Sequence, residues 1–238
     1  MADYLVFQLY GPMAAWGDIA VGEYRPSFAH PSKSAIIGLL AAALGIRRDE
    51  EERQRSLAEG CSFAVRVDAM GSLLRDYHTA QVPSAKKGVT HYTRRSELAV
   101  ENLNTILSSR DYRCDAAYTI AIRLHKNAAY GAQMLSEKLR KPDFTLYLGR
   151  KSCPLALPLQ PKVVQVTNFK EALETVSFAN DALPGVLTPS QVSVYWENGA
   201  EGGYESDHVV TRRDEPLSRK RWQFSERREN YASIRKEV

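Results

Sequence analysis

The start of the chain constrains its fold most. Residues 4–10, YLVFQLY, read as a strand that runs directly into GPMAAWG (11–17), and HPSKSAIIGLLAAALGI (30–46) soon begins a helix that is apolar on nearly every side. A strand, a glycine-bracketed turn and a helix with a basic first turn form a cradle suited to an anion.

The cradle can be read residue by residue. Gly11 and Gly17 allow positive φ and close approach of a ligand to the backbone, and Pro12 stiffens the turn between them. Ser32 is a natural N-cap after Pro31, with Lys33 and Ser34 in the first turn. Free amides, one lysine and two hydroxyls at a helix start suit a phosphate. A turn that only reverses the chain accounts for the same glycines.

A chain of 238 residues with 44% hydrophobic content buries a real core, as one elaborated domain or two small ones. The longest apolar run, residues 35–46, is too short to span a bilayer, and the opening MADYLVFQLYG lacks a basic leader, so a cytoplasmic location is expected. Cys61, Cys114 and Cys153 are widely spaced and form no CxxC pair, which predicts reduced thiols and no metal site. No motif calls for a cofactor. The formal excess of +4 is matched by residues 212–238, where nine Lys/Arg face five Asp/Glu. Arginine predominates over lysine, and its planar fork fits phosphate well; a solvated surface with internal salt bridges accounts for the same composition.

Along the chain, a charged helical stretch (48–59) precedes a strand at 63–67 and a hairpin partner at 73–79. Residues 80–113 break the pattern with the basic pairs Lys86/Lys87 and Arg94/Arg95, and read as an insertion or arm. Regular structure resumes with a strand (117–124), an amphipathic helix (128–139) and a strand (144–148). Without the insert the order is strand, helix, strand, strand, helix, strand, the order of ferredoxin-like and RNA-recognition folds. Residues 154–210 read as a β-rich extension, with a short helix at 168–174 and strands at 191–196 and 208–212. A second phosphate-type signal is YLGRKSCPL (147–155), where a glycine after a strand precedes Arg150, Lys151 and Ser152. A basic turn is its plainer reading.

GPMAAWG, PSKSAIIGLLAAALGI, LRDYHT (74–79), YLGRKSCPL and RRDEP (212–216) stand in an order and spacing that resembles the type I-E branch of the Cas-five family of CRISPR-associated proteins. The resemblance spans nearly the whole chain and is weakest at residues 81–93. It implies an α+β fold: a ferredoxin-like, RNA-recognition-like body at 1–153, a thumb inserted at about 80–113, and a β-rich extension with a basic C-terminal tail at 154–238. It also implies a non-catalytic subunit of the Cascade surveillance complex. Such a subunit holds the 5′ handle of the crRNA, caps the backbone of CasC-type subunits and adjoins the large CasA-type subunit, meeting target DNA only through the complex.

On that resemblance, Gly11 and Gly17 are close-approach points, and Ser32, Lys33 and Ser34 grip phosphate. Arg75 and His78 donate to phosphate or a base edge, and Tyr77 stacks on a base. Lys86, Lys87, Arg94 and Arg95 contact RNA from the thumb, and Arg150 and Lys151, with Ser152, form a cationic clamp. The rival function is metal-independent cleavage of precursor crRNA, which needs an acid and a base together. His78 beside Tyr77 is the nearest candidate pair. No GxSxG, HExxH or GxxxxGK[ST] motif is present, so other hydrolase classes have no anchor.

Overall fold

In the computed structural model, which describes residues 1–178 and 191–235, the first strand, β1 (Ala2–Tyr10), is buried on both faces. Its Leu5, Phe7 and Leu9 enter one apolar cluster and its Tyr4 and Val6 another. Successive side chains point to opposite sides of a strand, so a run apolar at nearly every position belongs between two layers.

The short strands β2 (Met13–Ala14) and β3 (Tyr24–Arg25) follow, then helix α1 (Lys33–Ala43). Ser32 caps α1 as expected, its Oγ accepting the Ala35 N–H at 3.1 Å. At the other end Gly45 N–H reaches Ala42 O and Ile46 N–H reaches Ala41 O, the paired bonds of a Schellman stop. Next come α2 (Glu51–Glu59), β4 (Cys61–Ala69), β5 (Ser72–Pro83), α3 (Arg94–Leu98), β6 (Leu103–Cys114), β7 (Ala117–Leu124) and α4 (Ala132–Arg140). The chain closes with β8 (Lys162–Val166), α5 (Phe169–Thr175), β9 (Gln191–Glu197), β10 (His208–Ser218) and β11 (Gln223–Arg235).

The main sheet has seven strands in the order β10-β11-β9-β4-β7-β1-β8, with every pairing antiparallel. Helices α1 and α4 pack together on one face, over the cluster that holds Leu5, Phe7, Ile36, Leu40 and Leu135. Helix α5 covers the other face through Phe169 and Leu173, which join Tyr4, Val6 and Trp196. No described helix is long and apolar enough to cross a membrane.

Several expectations need correction. Residues 144–148 form no strand; the Asp143 and Phe144 amides instead bond to Ala43 O and Ala42 O, spending themselves on the carbonyl end of α1. Strand β8 takes the vacated place beside β1. Helix α4 starts at Ala132 rather than 128, because Ala128 closes a turn onto His125 O and Gly131 occupies the N-cap. The expected extension supplies β8 beside β1 and β9 beside β4, so it completes the same sheet. The expected basic tail is the β10–β11 hairpin, paired from His208↔Tyr231 to Ser218↔Gln223. Residues 179–190 of the extension and 236–238 of the tail lie outside the described residues.

The irregular arm expected at 80–113 is instead a two-stranded ribbon of β5 and β6, in register from Ser72↔Cys114 to Pro83↔Leu103, with α3 in its connecting loop. LRDYHT belongs to this ribbon and makes no hairpin with β4. At about 3.4 Å per residue its twelve-residue strands extend on the order of 40 Å. The ribbon leaves the body between Gly71 (φ 63°) and Asp115 (φ 55°). A Cβ at Gly71 would collide with the Cys114 carbonyl, and Asp115 is held by the Tyr10 hydroxyl at 3.1 Å.

Candidate nucleic-acid interface

The two segments read as phosphate motifs pack directly on each other. Ala15 N–H donates to Leu148 O at 3.0 Å, and Gly149, at φ 85°, brings its backbone so close that a Cβ would strike the Ala15 carbonyl. Gly11 is buried under the same contact, where a Cβ would lie 2.6 Å from Pro154 O and 2.8 Å from Leu148 Cδ1. Its closeness therefore serves backbone against backbone within the protein. Neither Gly11 nor Gly17 is among the positive-φ glycines, which corrects the reason given for both. Gly17 is exposed and bridges to Ser27, while Trp16 is buried edge-on to Tyr118 at 5.5 Å.

The start of α1 holds an anion, but an internal one. Lys33 N–H donates to Asp214 Oδ2 at 2.8 Å, so a carboxylate from β10 sits where a phosphate was expected. Ser32 Oγ is taken by the cap and by Ser34 Oγ at 3.0 Å. Lys33 is 7% exposed, and its ammonium lies 2.8 Å from Glu215 and 3.1 Å from Glu197. Burial works against its charge, but these two carboxylates prevail and raise its pKa. Lys33 is thus an internal counter-ion and not a phosphate grip. The Glu197 pKa is raised as well, because its burial outweighs the pull of Lys33.

Beside this point lies a buried charge network. Asp214 meets Arg227 at 2.6 Å, Arg227 meets Glu229 at 2.7 Å, and Glu229 lies 3.3 Å from both Arg212 and His30. Burial would raise the Glu229 pKa, yet His30, Arg212 and Arg227 hold it down to about 2. His30, stacked on Tyr195 at 3.8 Å, has its pKa lowered by burial and by Arg212.

The motifs open onto a cleft of about 1180 Å³. One wall carries Gly17, Ser32 and Ser34, a second Tyr147, Gly149 and Arg150, and the third is the β10–β11 hairpin with Arg213, Arg219 and Trp222. Arg47 and Arg48, just beyond α1, complete the rim. Sequence reasoning named residues of the first two walls as site candidates and none of the third; the surplus of positive charge in 212–238 and the RRDEP segment were its signals, since nothing local says which surface a hairpin joins.

Arg150 organises the cleft wall. Its guanidinium donates to Asp111 O and Arg25 O, both at 3.1 Å, and lies 4.7 Å from the Tyr112 ring, tying β3, β6 and the Gly149 turn together. Lys151 and Ser152 are exposed on that turn. At the root of the ribbon Arg75 grips Asp111 at 2.8 Å and lies 4.9 Å from the Tyr24 ring, while the Tyr24 hydroxyl also donates to Asp111. The Arg75 bond holds the Asp111 carboxyl below its ordinary pKa.

The remaining sequence candidates lie on the ribbon, apart from the cleft. Tyr77 is 64% exposed, and His78 bonds Asp76 at 3.2 Å. As consecutive residues of β5 they point to opposite faces, so they do not form an acid–base pair on one scissile bond. Lys86 and Lys87 are exposed beyond β5, and Arg95 is exposed on α3. Arg94 pairs with Glu97 at 2.6 Å and donates to Gln81 O. Among the described residues no group of three or more His, Cys, Asp or Glu could hold a metal. The three cysteines are free, and burial pushes the Cys61 thiol up to about 12.

A family model described as "CRISPR-associated protein (Cas_Cas5)" matches residues 4–229. The chain is 33% identical over 235 residues to the "CRISPR system Cascade subunit CasD" of Escherichia coli (strain K12), covering 95% of this chain and 94% of that one. A solved chain of a "CRISPR RNA-guided surveillance complex" superposes with a TM-score of 0.66 at 25% identity, covering 99% of this chain and 90% of that chain. A "Crystal structure of Cas protein" superposes at 0.63 and 24% identity, covering 98% and 95%.

Proposed function

The chain belongs to the Cas-five family of CRISPR-associated proteins, and on that premise we propose that it is the non-catalytic crRNA-binding subunit of a type I-E Cascade surveillance complex. In this reading it holds the 5′ handle of the crRNA, caps the CasC-type backbone and adjoins the CasA-type large subunit. The strands β1, β4, β7 and β8, in spatial order β8-β1-β7-β4 with α1 and α4 between them in sequence, act as a ferredoxin-like body. The β5–β6 ribbon acts as its thumb.

One observation carries the reading: among the described residues, three guanidinium groups that line the cleft form no ion pair with a carboxylate. Among the described residues, Arg150, Arg213 and Arg219 donate to the backbone carbonyls of Asp111, Arg25, Phe224 and Ser34. Unpaired guanidinium groups around a groove suit a phosphate backbone. Both faces of the body sheet are covered, so bases stack elsewhere than on the sheet face that RNA-recognition domains use.

The test is co-expression with crRNA and the CasC-type and CasA-type subunits. The wild type is expected to co-purify with both subunits and crRNA, and an Arg150→Ala/Arg213→Ala double variant to lose crRNA. The purified chain is expected to leave a precursor repeat intact in EDTA and in magnesium; sequence-specific cleavage would overturn the non-catalytic assignment.

A further inference from the structure

Helix α1 has a glycine in its middle, where glycine costs about 1 kcal/mol relative to alanine. The structure shows what the missing side chain makes room for. A Cβ on Gly38 would lie 2.9 Å from Nη2 and 3.2 Å from Nη1 of Arg219, so this guanidinium rests directly on the helix surface. From that seat Arg219 donates to Ser34 O, and its buried Nε has no partner.

The neighbours of Arg219 are cationic and aromatic. Trp222, 57% exposed in the turn of the β10–β11 hairpin, has the Arg48 guanidinium 4.7 Å and the Arg219 guanidinium 5.9 Å from its ring. Two guanidinium groups converge on one indole at the cleft wall, and no described carboxylate pairs with Arg219. Burial, and then Arg48, lower the Arg219 pKa to about 10, so it stays charged at neutral pH and is strained by its surroundings.

We propose that Arg219, seated on Gly38 and flanked by Arg48 across Trp222, binds a phosphodiester group of the RNA strand, an assignment that rests on the RNA-binding reading of the cleft. An incoming phosphate would supply the negative charge that the Arg48–Arg219 pair lacks. Because α1 and the hairpin fix the guanidinium before RNA arrives, little conformational freedom is lost on binding.

The experiment uses the full chain and two fluorescein-labelled single strands, an RNA carrying the repeat-derived handle and a DNA of the same sequence, titrated over a range of salt. Arg219→Gln removes the charge. Gly38→Ala keeps every charge and displaces only the flexible end of Arg219, while raising helix propensity. Both variants are expected to bind the RNA about tenfold more weakly, with log K against log salt shallower by about 0.7. Gly38→Ala is expected to melt no lower than wild type. Wild-type affinity and slope in both variants would overturn the subsite alone, whereas a wild type that binds no RNA would overturn the reading beneath it. Weakening confined to the DNA strand, or a Gly38→Ala loss matched by loss of folded protein, would also overturn the assignment.

Discussion

The carboxylate of Asp214 accepts the backbone N–H of Lys33 at 2.8 Å, joining the last hairpin of the chain to its first helix. The same carboxylate lies 2.6 Å from Arg227, in a setting with almost no solvent exposure. Removing one member of a buried pair costs about 3–5 kcal/mol, because the other charge is left buried alone. Asp214→Ala is therefore expected to lose about 3 kcal/mol in urea unfolding, with Asp214→Asn losing less because it still accepts the helix amide. A loss under about 1 kcal/mol for the alanine variant would show that the hairpin docks without this contact.

Acidification should weaken the fold in two stages. His30 has a folded pKa below its ordinary 6.5, so below that value the unfolded chain takes up a proton that the folded one refuses, and stability falls with pH. Glu229, held down to about 2 from 4.5, contributes stability that is complete above 4.5 and is lost as pH falls toward 2. Urea midpoints measured from about pH 7.5 down to about pH 4 should decline throughout. His30→Gln should flatten the upper stage and also shrink the lower one, because His30 is the first of the groups that hold Glu229 down; an unchanged upper stage would remove His30 from the account.

At Gly149 both conformation and space require glycine. Gly149→Ala must adopt φ 85° and place its methyl against the Ala15 carbonyl, so the turn has to retreat from the GPMAAWG segment. Strain of this kind costs about 1–3 kcal/mol before any clash is counted. The variant is expected to melt several degrees lower and to bind crRNA weakly. Gly17→Ala, with nothing within 4 Å of its Cβ, is the matched control and should melt like the wild type.

Arg150 and Lys151 are neighbours with different work. Arg150→Ala should lower both the melting temperature and crRNA retention, since it removes the ties to Asp111 O and Arg25 O. Lys151→Ala should leave melting unchanged and make the salt slope of RNA binding shallower by about 0.7. Equal thermal effects of the two substitutions would contradict this division.

Shortening the ribbon tests it as an assembly arm. Joining Ala80 to Ile106, which face each other across β5 and β6, by an Asn-Gly turn keeps Ser109 and Arg110, where β3 pairs, and Arg113 and Cys114, where β2 pairs. The body should keep its stability within about 0.5 kcal/mol, while co-purification with the CasC-type subunit fails. Aggregation of the shortened chain would place the ribbon tip in the folding core.

What the sequence revealed follows the reach of each signal. Ser32 and the apolar run of α1 are local signals, and cap and helix stand where they were read. The 117–124 strand was legible because its neighbours on both sides are apolar. The ribbon was hidden because solvent on both faces removes the alternation that identifies a strand, and Leu73, Leu74 and Tyr77 remain exposed in it. The 144–148 segment is apolar enough for a strand, but the amides of Asp143 and Phe144 at its start are taken by the end of α1, a competition between residues a hundred positions apart. Lys33 was misread for the same reason: Glu197 and Glu215 reach it from the far end of the chain.

The interleaving of early and late strands also sets an order in time. Strand β4 is made long before β9, which covers its outer edge, and the cleft wall bearing Arg213 and Arg219 is made later still. Contacts between such distant segments form slowly and late. A chain that stops short of β10 therefore lacks the Arg213 and Arg219 wall of the cleft, and one that stops short of β9 leaves an edge of β4 unpaired.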